Sequence, residues 1–214
     1  MKYTALIVAA GSGSRLGLGY NKAYYLLDER TILEHSMELF VQDQDCEEIV
    51  VVTDPAEYFR KVSRDTTGRI VFAAGGKTRQ ESVWNGLQAV ISNTVLIHDG
   101  ARPYLSKDCL EAIKKAMETE DAACLAVKCK DTVKLTEDGY FVQTLPREKL
   151  MAAQTPQAFR TELILTAMHR AFQARAELTD DCSAVEQFTD TKVRAVTGSY
   201  GNFKITTAED LKGA

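Results

Sequence analysis

The sequence predicts an α/β fold in which one Rossmann-like, doubly wound and mostly parallel sheet spans residues 1–214 as a single domain. Short apolar runs rich in β-branched residues alternate with amphipathic helical patterns, which is the order of elements in such sheets. The runs are apolar on both faces, as the central strands of a parallel sheet are. A length of 214 residues also suits one large α/β domain better than two small ones.

Four apolar runs predict parallel strands, and three periodic segments predict helices. The strands are expected at residues 4–10, 48–53, 69–73 and 94–99. The helices are expected at residues 31–40, 78–91 and 106–117. Ser106 stands at the start of the third helix, where a serine hydroxyl can cap free backbone N–H groups.

The alternation of strand and helix breaks after a further apolar run at residues 122–129. Residues 131–145 contain two alternating segments on either side of Glu137-Asp138-Gly139, a sequence typical of a hairpin turn. A hairpin outside the strand–helix order predicts a β-hairpin arm that projects from the core. Helical patterns follow at residues 161–175 and 181–188, and a last strand is expected at residues 192–196.

Composition and charge argue against several classes of protein. The formal net charge of -4 speaks against broad nucleic-acid binding. No apolar run approaches the roughly 18 residues of a membrane span, and the N-terminus lacks the pattern of a secretion signal. The five cysteines form no CxxC pair and no zinc-site spacing with the three histidines. We therefore expect a cytoplasmic protein with reduced cysteines that binds neither nucleic acid nor membranes.

A glycine-rich loop follows the first predicted strand and reads AAGSGSRLG. Glycine lets the backbone approach a ligand closely, so that its N–H groups can hold phosphate oxygens. The spacing does not match the GxGxxG of a dinucleotide-binding turn, which argues against a dehydrogenase. The later Gly76-Lys77-Thr78 does not complete a Walker A loop, because Val71 stands where the first glycine belongs. A tight turn without a ligand is the alternative interpretation of the glycine-rich loop.

Arg15 and Lys22 add two cations to this loop. Attack on the α-phosphorus of a nucleoside triphosphate builds negative charge on its oxygens and on the leaving pyrophosphate. Nucleotidyl transfer therefore depends on positioning and charge neutralisation, which two cations beside the phosphorus would supply. The alternative is that both side chains are ordinary surface charges, as most Lys and Arg residues are.

A second motif, HDGARP, starts at His98 at the carboxyl end of the fourth predicted strand, where open α/β sheets bind ligands. Asp99 suits Mg2+, which prefers one or two carboxylates together with substrate phosphates. Gly100 allows close approach of a ligand, and Arg102 offers a further phosphate contact. The alternative for Asp99 is a turn or N-cap residue, and His98 is expected only to pack.

Seven motifs in sequence order resemble the 2-C-methyl-D-erythritol 4-phosphate cytidylyltransferase family of the non-mevalonate isoprenoid pathway. They are AAGSGSRLG with Lys22, GGKTRQESV from Gly75, HDGARP, KDTVK from Lys130, QTPQAF from Gln154, TDDCSAVE from Thr179 and GNFKITTAEDL from Gly201. The resemblance covers nearly the whole chain and implies a fold of the nucleotidyltransferase type. It also implies an enzyme that joins CMP from CTP to a polyol phosphate, methylerythritol phosphate, with Mg2+ and release of pyrophosphate.

The resemblance assigns roles by position. Catalytic roles fall on Arg15, Lys22, Arg147 and Lys204. The nucleotide would contact Ala9, Ala10, Gly11, Ser12, Gly13, Gly75, Gly76, Arg79, Ser82 and Gly100. The acceptor would contact Arg102, Thr132, Thr155 and Thr179, and Asp99 would bind the metal. In this family the arm is exchanged within a homodimer, so Thr132 and Arg147 would reach the active site of the other subunit.

Four positions depart from the family pattern without removing a catalytic charge. Asn21 and Ala23 flank Lys22 where Pro and then Gln or Met are usual, Gly100 replaces Ala, and Gly201 replaces a frequent Asp. Two alternative functions stay open. One is a ribitol-5-phosphate cytidylyltransferase, and the other is a non-catalytic module that binds CTP. The cations and the carboxylate at positions 15, 22, 99 and 204 argue against the second, because clustered cations are costly without an anionic partner.

Overall fold

The computed structural model describes residues 1–11, 19–62, 68–207 and 209–212. These residues form the strands β1 (Tyr3–Val8), β2 (Leu26–Leu27), β3 (Arg30–Thr31), β4 (Cys46–Val52), β5 (Ile70–Ala73), β6 (Thr94–Asp99), β7 (Ala122–Lys128), β8 (Lys134–Glu137), β9 (Tyr140–Thr144), β10 (Met151–Arg160) and β11 (Arg194–Thr197). Their α-helices are α1 (Ile32–Gln42), α2 (Pro55–Lys61), α3 (Arg79–Leu87), α4 (Lys107–Ala116), α5 (Thr161–Gln173) and α6 (Asp181–Phe188).

The main sheet has seven strands in the order β11-β7-β10-β6-β1-β4-β5. Strand β10 pairs antiparallel with β6 and β7, and the other neighbours pair in parallel, which confirms the mostly parallel prediction. The chain runs outward from β1 to β4 and β5, and α3 then leads back to β6 on the other side of β1. The strand order therefore reverses between β1 and β6, where Val8 and Asp99 are partners in register. Ligand sites of open α/β sheets lie at such a reversal.

Buried apolar side chains cover both faces of the sheet. Helices α1 and α4 pack on one face, and α3, α5 and α6 pack on the other. All of β6 is buried, as expected of a central strand. The predicted cap is confirmed, because the Ser106 hydroxyl accepts a hydrogen bond from the Cys109 backbone N–H at 3.3 Å. None of the helices in the described ranges has the length and apolar character that a membrane crossing requires.

Besides the two-residue strands β2 and β3, the strand β10 and the helix α2 were not expected from periodicity. Strand β10 lies in the middle of the sheet, although it carries the buried polar side chains Gln154, Thr155 and Gln157. Its pairing with β7 is interrupted between Ala153 and Gln157, and this segment forms one wall of the site described below. The short helix α2 begins after Asp54, whose carboxylate accepts a hydrogen bond from the Ala56 N–H at 2.8 Å.

Strands β8 and β9 form the predicted arm. Asp138 and Gly139 connect them with φ angles of 48° and 85°, which is the two-residue turn expected for a tight hairpin. All residues of both strands are exposed in the single chain. The exposed set includes the apolar side chains Leu135, Tyr140, Phe141 and Val142. A two-stranded hairpin of this kind is at best marginally stable alone.

A cluster of charged side chains lies at the amino end of β1, opposite the carboxyl ends of the strands. The Lys114 ammonium lies 2.8 Å from Asp43, 2.9 Å from Asp45 and 3.2 Å from Glu111. The Tyr3 hydroxyl donates a hydrogen bond to Asp43 at 2.8 Å. The Lys114 side chain is 8% exposed, so its charge depends on these carboxylates rather than on water.

Candidate active site

A pocket of about 400 Å3 lies at the carboxyl ends of β1 and β6. Its walls are the backbone that follows these strands, the start of α3 and two lysines from distant parts of the chain. The residues that line it are Val8, Ala9, Ala10, Gly11, Asn21, Lys22, Ala23, Gly76, Lys77, Thr78, Arg79, Ser82, Asp99, Gly100, Ala101 and Lys204. Its volume suits a small-molecule ligand, and its composition brings together most of the predicted nucleotide contacts.

Asp99 is the electrostatic centre of the site. Its carboxylate lies 2.8 Å from the Lys204 ammonium, 3.2 Å from Arg79 Nε and 3.6 Å from Arg102 Nε. Burial alone would raise the pKa of Asp99, but the positive charges of Arg79, Lys204 and Arg102 hold it well below its ordinary value. The carboxylate is therefore ionised and links three cations from three segments of the chain.

Arg79 joins this centre to helix α6. Its two terminal nitrogens donate hydrogen bonds to both oxygens of Asp181, at 2.9 and 2.8 Å, while Nε donates to Asp99. Burial alone would lower the pKa of Arg79, but the charges of Asp181 and Asp99 raise it above the ordinary value. This bidentate pairing is a geometry that a lysine cannot reproduce. Two carboxylates thus already hold the Arg79 side chain in the position from which it is predicted to contact the nucleotide.

Thr155 and His98 fix the backbone of Asp99. The Thr155 hydroxyl accepts a hydrogen bond from the Asp99 N–H at 3.0 Å and has its own proton left for His98 Nδ1, also at 3.0 Å. His98 Nε2 then donates to the Arg102 carbonyl at 3.2 Å. Burial lowers the pKa of His98 to about 4, so the ring is neutral and can accept at Nδ1. His98, expected only to pack, therefore also positions Asp99 and Arg102.

A smaller pocket of about 160 Å3 adjoins the first and shares Arg79, Asp99 and Lys204 with it. It brings together three of the predicted acceptor contacts, Arg102, Thr155 and Thr179. The remaining lining residues are Ala153, Gln154, Gln157 and Asp180. Ligands in the two pockets would therefore face each other across Asp99 and Lys204, which is the arrangement that a two-substrate reaction requires.

Arg102 lines this smaller pocket and is held in place by the buried Asn202 behind it. Arg102 Nη1 donates to the Asn202 carbonyl at 2.7 Å, and the Asn202 side chain donates to the Thr155 carbonyl at 2.8 Å. Arg102 Nε is buried without a hydrogen bond among the described residues. A guanidinium held in this way, with donor capacity left over, suits an anionic ligand.

Lys22 lies in the wall of the larger pocket, on a short helical turn at residues 22–24. Its ammonium donates a hydrogen bond to the Ile205 carbonyl at 2.7 Å, which brings the turn next to the segment that carries Lys204. Asn21, the residue that replaces the usual Pro, caps the start of the turn and ties it to the chain after β1. Its side chain donates to the Ala9 carbonyl and accepts from the Ala23 N–H at 3.1 Å.

Two glycines after β5 allow the backbone to pass close to the pocket. A Cβ atom at Gly75 would collide with Ala10, and one at Gly76 would collide with Glu81. The Ser82 hydroxyl accepts a hydrogen bond from the Gly76 N–H at 3.0 Å and fixes this approach. Gly76 and Ser82 line the larger pocket, and Gly75 lines a neighbouring hollow with Ala10 and Gly11.

Five predicted residues do not join this cluster in the single chain as described. Ser12, Gly13 and Arg15 lie outside the described residues. Thr132 and Arg147 are exposed at the base of the arm and line neither of the two adjoining pockets. The Arg147 guanidinium instead donates to the Lys130 carbonyl at 3.0 Å. Their predicted role thus still requires the arm of a second subunit.

The protein groups around Asp99 are compatible with Mg2+ bound partly by a substrate. In the ranges that the structure describes, no three His, Cys, Asp or Glu side chains cluster as a complete metal site. Asp99 does supply one ionised carboxylate at the junction of the two pockets. Magnesium is commonly held by one or two carboxylates together with substrate phosphates and water. Asp99 therefore fits this kind of metal site, although its oxygens also serve the neighbouring cations.

Asp181 and Gln157 were not predicted as site residues. Asp181 holds Arg79, and Gln157 Oε1 accepts hydrogen bonds from the Asp181 and Cys182 N–H groups, both at 3.0 Å. Both side chains belong to motifs quoted above, but the partner of Asp181 lies 102 residues earlier in the chain. No local pattern reveals such a pairing.

Comparison with known proteins agrees with this architecture. The family described as IspD, 2-C-methyl-D-erythritol 4-phosphate cytidylyltransferase, matches residues 3–214. A protein of that name from Bacillus cereus is 41% identical over 214 residues, which cover 98% of this chain and 94% of the relative. Another from Geobacillus thermodenitrificans is 42% identical over 217 residues, which cover 99% of this chain and 94% of the relative.

Solved structures agree as well. The 4-diphosphocytidyl-2C-methyl-D-erythritol synthase of Anaerococcus prevotii superposes with a TM-score of 0.87 at 33% identity, covering 100% of this chain and 96% of the other. The 2-C-methyl-D-erythritol 4-phosphate cytidylyltransferase of Thermus thermophilus gives a TM-score of 0.82 at 32% identity, covering 99% and 96%. The family match over nearly the full length, together with the paired pockets around Asp99, leads to one conclusion: this chain belongs to the 2-C-methyl-D-erythritol 4-phosphate cytidylyltransferase family.

Proposed function

We propose that this chain is an enzyme that joins CMP from CTP to 2-C-methyl-D-erythritol 4-phosphate and releases pyrophosphate, a step in the formation of isoprenoid precursors. The observation that carries the proposal is the pair of adjoining pockets that share Arg79, Asp99 and Lys204. The larger pocket has the volume and the glycine-lined backbone for a nucleotide, and the smaller one suits a polyol phosphate.

The reaction needs little from the protein as an acid or base. A phosphate monoester has a second pKa of about 6, so the acceptor is largely a dianion at neutral pH and is already a nucleophile. One of its oxygens attacks the α-phosphorus, and a new P–O bond forms. The bond from that phosphorus to the bridging oxygen breaks, and pyrophosphate leaves with the electron pair. The enzyme therefore works by positioning and charge neutralisation.

The cations of the site are suited to this task. Lys22 and Lys204 line the larger pocket from two segments that meet at the Ile205 carbonyl. In the proposed mechanism Lys22, together with Arg15, neutralises charge at the α-phosphorus and on the leaving pyrophosphate. Lys204, at the junction of the pockets, holds the attacking phosphate near it. Arg102, with Thr155 and Thr179, orients the acceptor in the smaller pocket.

The backbone of the glycine-rich loop completes the nucleotide site. Ala9, Ala10, Gly11, Ser12 and Gly13 would offer N–H groups to the triphosphate. Gly75, Gly76, Ser82 and Arg79 would contact the cytosine and ribose, and Gly100 would let the nucleotide approach β6. Mg2+, held by Asp99 and substrate phosphates, would neutralise part of the charge on those phosphates.

We also propose that the enzyme is a cytoplasmic homodimer with exchanged arms. The apolar side chains of β8 and β9 are exposed in the single chain and need a cover. The same surface of a second chain would provide it in a two-fold dimer. Arg147 and Thr132 would then contact the acceptor bound to the other subunit. Five free cysteines suit a reducing compartment.

A pyrophosphate-release assay tests the proposed reaction. CTP, UTP and ATP would each be combined with methylerythritol phosphate, ribitol 5-phosphate and a sugar 1-phosphate. The expected result is release with CTP and methylerythritol phosphate, with kcat/KM well above every other pair. Preference for ribitol 5-phosphate would reassign the acceptor, and CTP binding without release for any acceptor would favour a non-catalytic module.

A further inference from the structure

The segment of residues 198–205 contacts both the site and the base of the arm. On the side of the site, Lys204 pairs with Asp99 at 2.8 Å, and the Asn202 carbonyl accepts from Arg102 at 2.7 Å. On the side of β10, the Gln154 side chain donates to the Ser199 carbonyl at 2.8 Å. These contacts fix the segment relative to its own pockets.

Tyr200 carries the contacts of this segment with the base of the arm. Its hydroxyl donates a hydrogen bond to the Lys128 carbonyl at 2.8 Å. Its ring lies under the Lys130 ammonium, with 3.8 Å between Nζ and the ring centroid. The distance is well within the range of a cation–π interaction. Tyr200 is 49% exposed, so these two contacts rather than core burial explain its orientation.

Lys130 connects Tyr200 to the arm. Its carbonyl accepts the hydrogen bond from Arg147 at 3.0 Å, while its side chain lies on the Tyr200 ring. Thr132 follows two positions later in the sequence. The next backbone bonds, such as the one from the Leu145 N–H to the Val133 carbonyl at 3.0 Å, already belong to the hairpin. Tyr200 therefore contacts the chain at the base of the arm, where the arm leaves the main sheet.

We propose that Tyr200 is a positioning residue that sets the angle of the arm and thereby acts on the acceptor site of the other subunit, not on the site of its own chain. The inference rests on the proposed function, in which Thr132 and Arg147 cross to that site. Lys204 of the same segment serves its own chain. A single segment would thus support one active site directly and the second one through the arm.

Heterodimers test this assignment. Two chains with different affinity tags are co-expressed and purified in tandem, and one chain carries Lys22→Ala so that a single site remains active. The arm at this active site comes from the Lys22→Ala chain. Tyr200→Leu placed on the Lys22→Ala chain should therefore raise the KM for methylerythritol phosphate about tenfold, the effect of losing about 1.4 kcal/mol. The KM for CTP should stay within about twofold, an estimate that treats the distant CTP contacts as independent.

The reverse heterodimer is the matched control. Here Tyr200→Leu is on the chain with intact Lys22, and the active site receives an unaltered arm, so both KM values should match the parent heterodimer. Placed on the Lys22→Ala chain, Tyr200→Phe keeps the ring on Lys130 and should raise the KM for methylerythritol phosphate less than Tyr200→Leu does. Phe203→Leu alters another ring of the segment, which packs on Tyr104 at 5.1 Å, and should not reproduce the pattern. A larger effect in the reverse heterodimer, or equal effects in both, would overturn the proposal.

A measurement without catalysis separates this proposal from the proposed function. Hydrogen–deuterium exchange of residues 128–147 in the Tyr200→Leu homodimer should be faster than in the unaltered protein, because the base of the arm loses two contacts. Unchanged exchange there would refute arm positioning, whatever reaction the enzyme catalyses. Faster exchange in a protein that releases no pyrophosphate would instead refute the function and leave the positioning role intact.

Discussion

Arg79 and Asp181 form a bidentate ion pair between helices α3 and α6, with nitrogen–oxygen distances of 2.9 and 2.8 Å. The Asp181 side chain is 2% exposed, and the remaining Arg79 nitrogen donates to Asp99. Arg79 therefore ties the junction of the two pockets to a helix on one face of the sheet. A change at Asp181 should reach the active site through this guanidinium.

Asp181→Asn should lower the free energy of unfolding by about 2 kcal/mol, because the half-buried guanidinium of Arg79 keeps its charge but loses a charged acceptor. We also expect a raised KM for CTP, since Arg79 would pull more strongly on Asp99 and shift it. Urea unfolding and steady-state kinetics measure the two effects. Glu186→Gln, an exposed change on the same helix, serves as the control. Unfolding equal to that of the control would show that the pair adds no stability.

Lys22→Ala should lower kcat by about 100-fold or more, as the loss of one stabiliser of transition-state charge does. The reason is that the proposed role of Lys22 concerns charge that develops only during the chemical step. Lys107→Ala, at an exposed position of α4, should leave kcat unchanged. A normal kcat with only a raised KM for CTP would assign Lys22 to substrate binding and reject the transition-state role.

Activity should require Mg2+ and should disappear in excess chelator. Asp99→Asn should lower kcat at saturating CTP and raise the Mg2+ concentration needed for half-maximal rate. The same variant frees Arg79, Lys204 and Arg102 from a negative charge, so metal-free CTP should bind at least as tightly as to the unaltered protein. Calorimetry measures this binding, with Asp108→Asn as the exposed control. Full activity of Asp99→Asn at low Mg2+ would exclude Asp99 as the metal ligand.

Much of the fold is predictable because the central strands are simple. Strands β1 and β6 are buried on both faces and consist of apolar runs, so their hydrophobic pattern is unambiguous. The turn at Asp138-Gly139 is predictable for a local reason, since both positions need positive φ angles. In both cases a few consecutive residues are enough to predict the local structure.

Strand β10 escaped prediction because its buried positions include Gln154, Thr155 and Gln157, which hydropathy assigns to the surface. Their burial depends on hydrogen bonds to residues far along the chain, such as Asn202 with the Thr155 carbonyl. The same limit applies to the site. The glycine-rich loop, Lys22 and Asp99 could be located by motif, but the pairing of Arg79 with Asp181 is a property of the folded chain.

Lys114→Met should lower the free energy of unfolding at neutral pH by about 3 kcal/mol, because it leaves the Asp43 carboxylate without its cation. Asp43 is 12% exposed at its side chain, and its partner Lys114 is 8% exposed. Urea unfolding at pH 7 measures the loss. Lys115→Met, next in sequence and exposed, should change stability by less than about 0.5 kcal/mol.

The loss should depend on pH in a defined direction. Burial alone would raise the pKa of Asp43, but the hydrogen bonds from Lys114, the Asp45 N–H and Tyr3, together with the charge of Lys114, outweigh it and lower the pKa. A lowered pKa in the folded state contributes stability above the ordinary pKa of about 4, and this stability disappears as the pH falls through the lowered value. In Lys114→Met the part of that contribution that Lys114 supplies is absent. The gap between the two proteins should therefore be largest above about pH 5 and narrow below about pH 4. A gap that stays constant would exclude Asp43 as its source.

The proposed exchange of arms predicts that two inactive proteins restore activity when they form mixed dimers. Arg147 is exposed in the single chain and lines neither of the two adjoining pockets, whereas Lys22 lines the larger one. If Arg147 serves the other subunit, then Lys22→Ala and Arg147→Ala homodimers each lack one required cation at both sites. A guanidinium suits this crossing contact because its planar fork can hold two phosphate oxygens at fixed geometry.

In the mixed dimer, one site draws an intact Lys22 from one chain and an intact Arg147 from the other, while the second site lacks both. Tagged heterodimers should therefore recover about half the activity of the unaltered dimer, far above either parent homodimer, because one of two equivalent sites is restored. Mixing each variant with unaltered chains gives the reference for a dimer with one working site. Recovery requires no contact between the two mutated positions, only the crossing of the arm. Verified heterodimers that remain as inactive as their parents would mean that Arg147 and Lys22 act within one chain, and that the exposed apolar face of β8 and β9 has another cover.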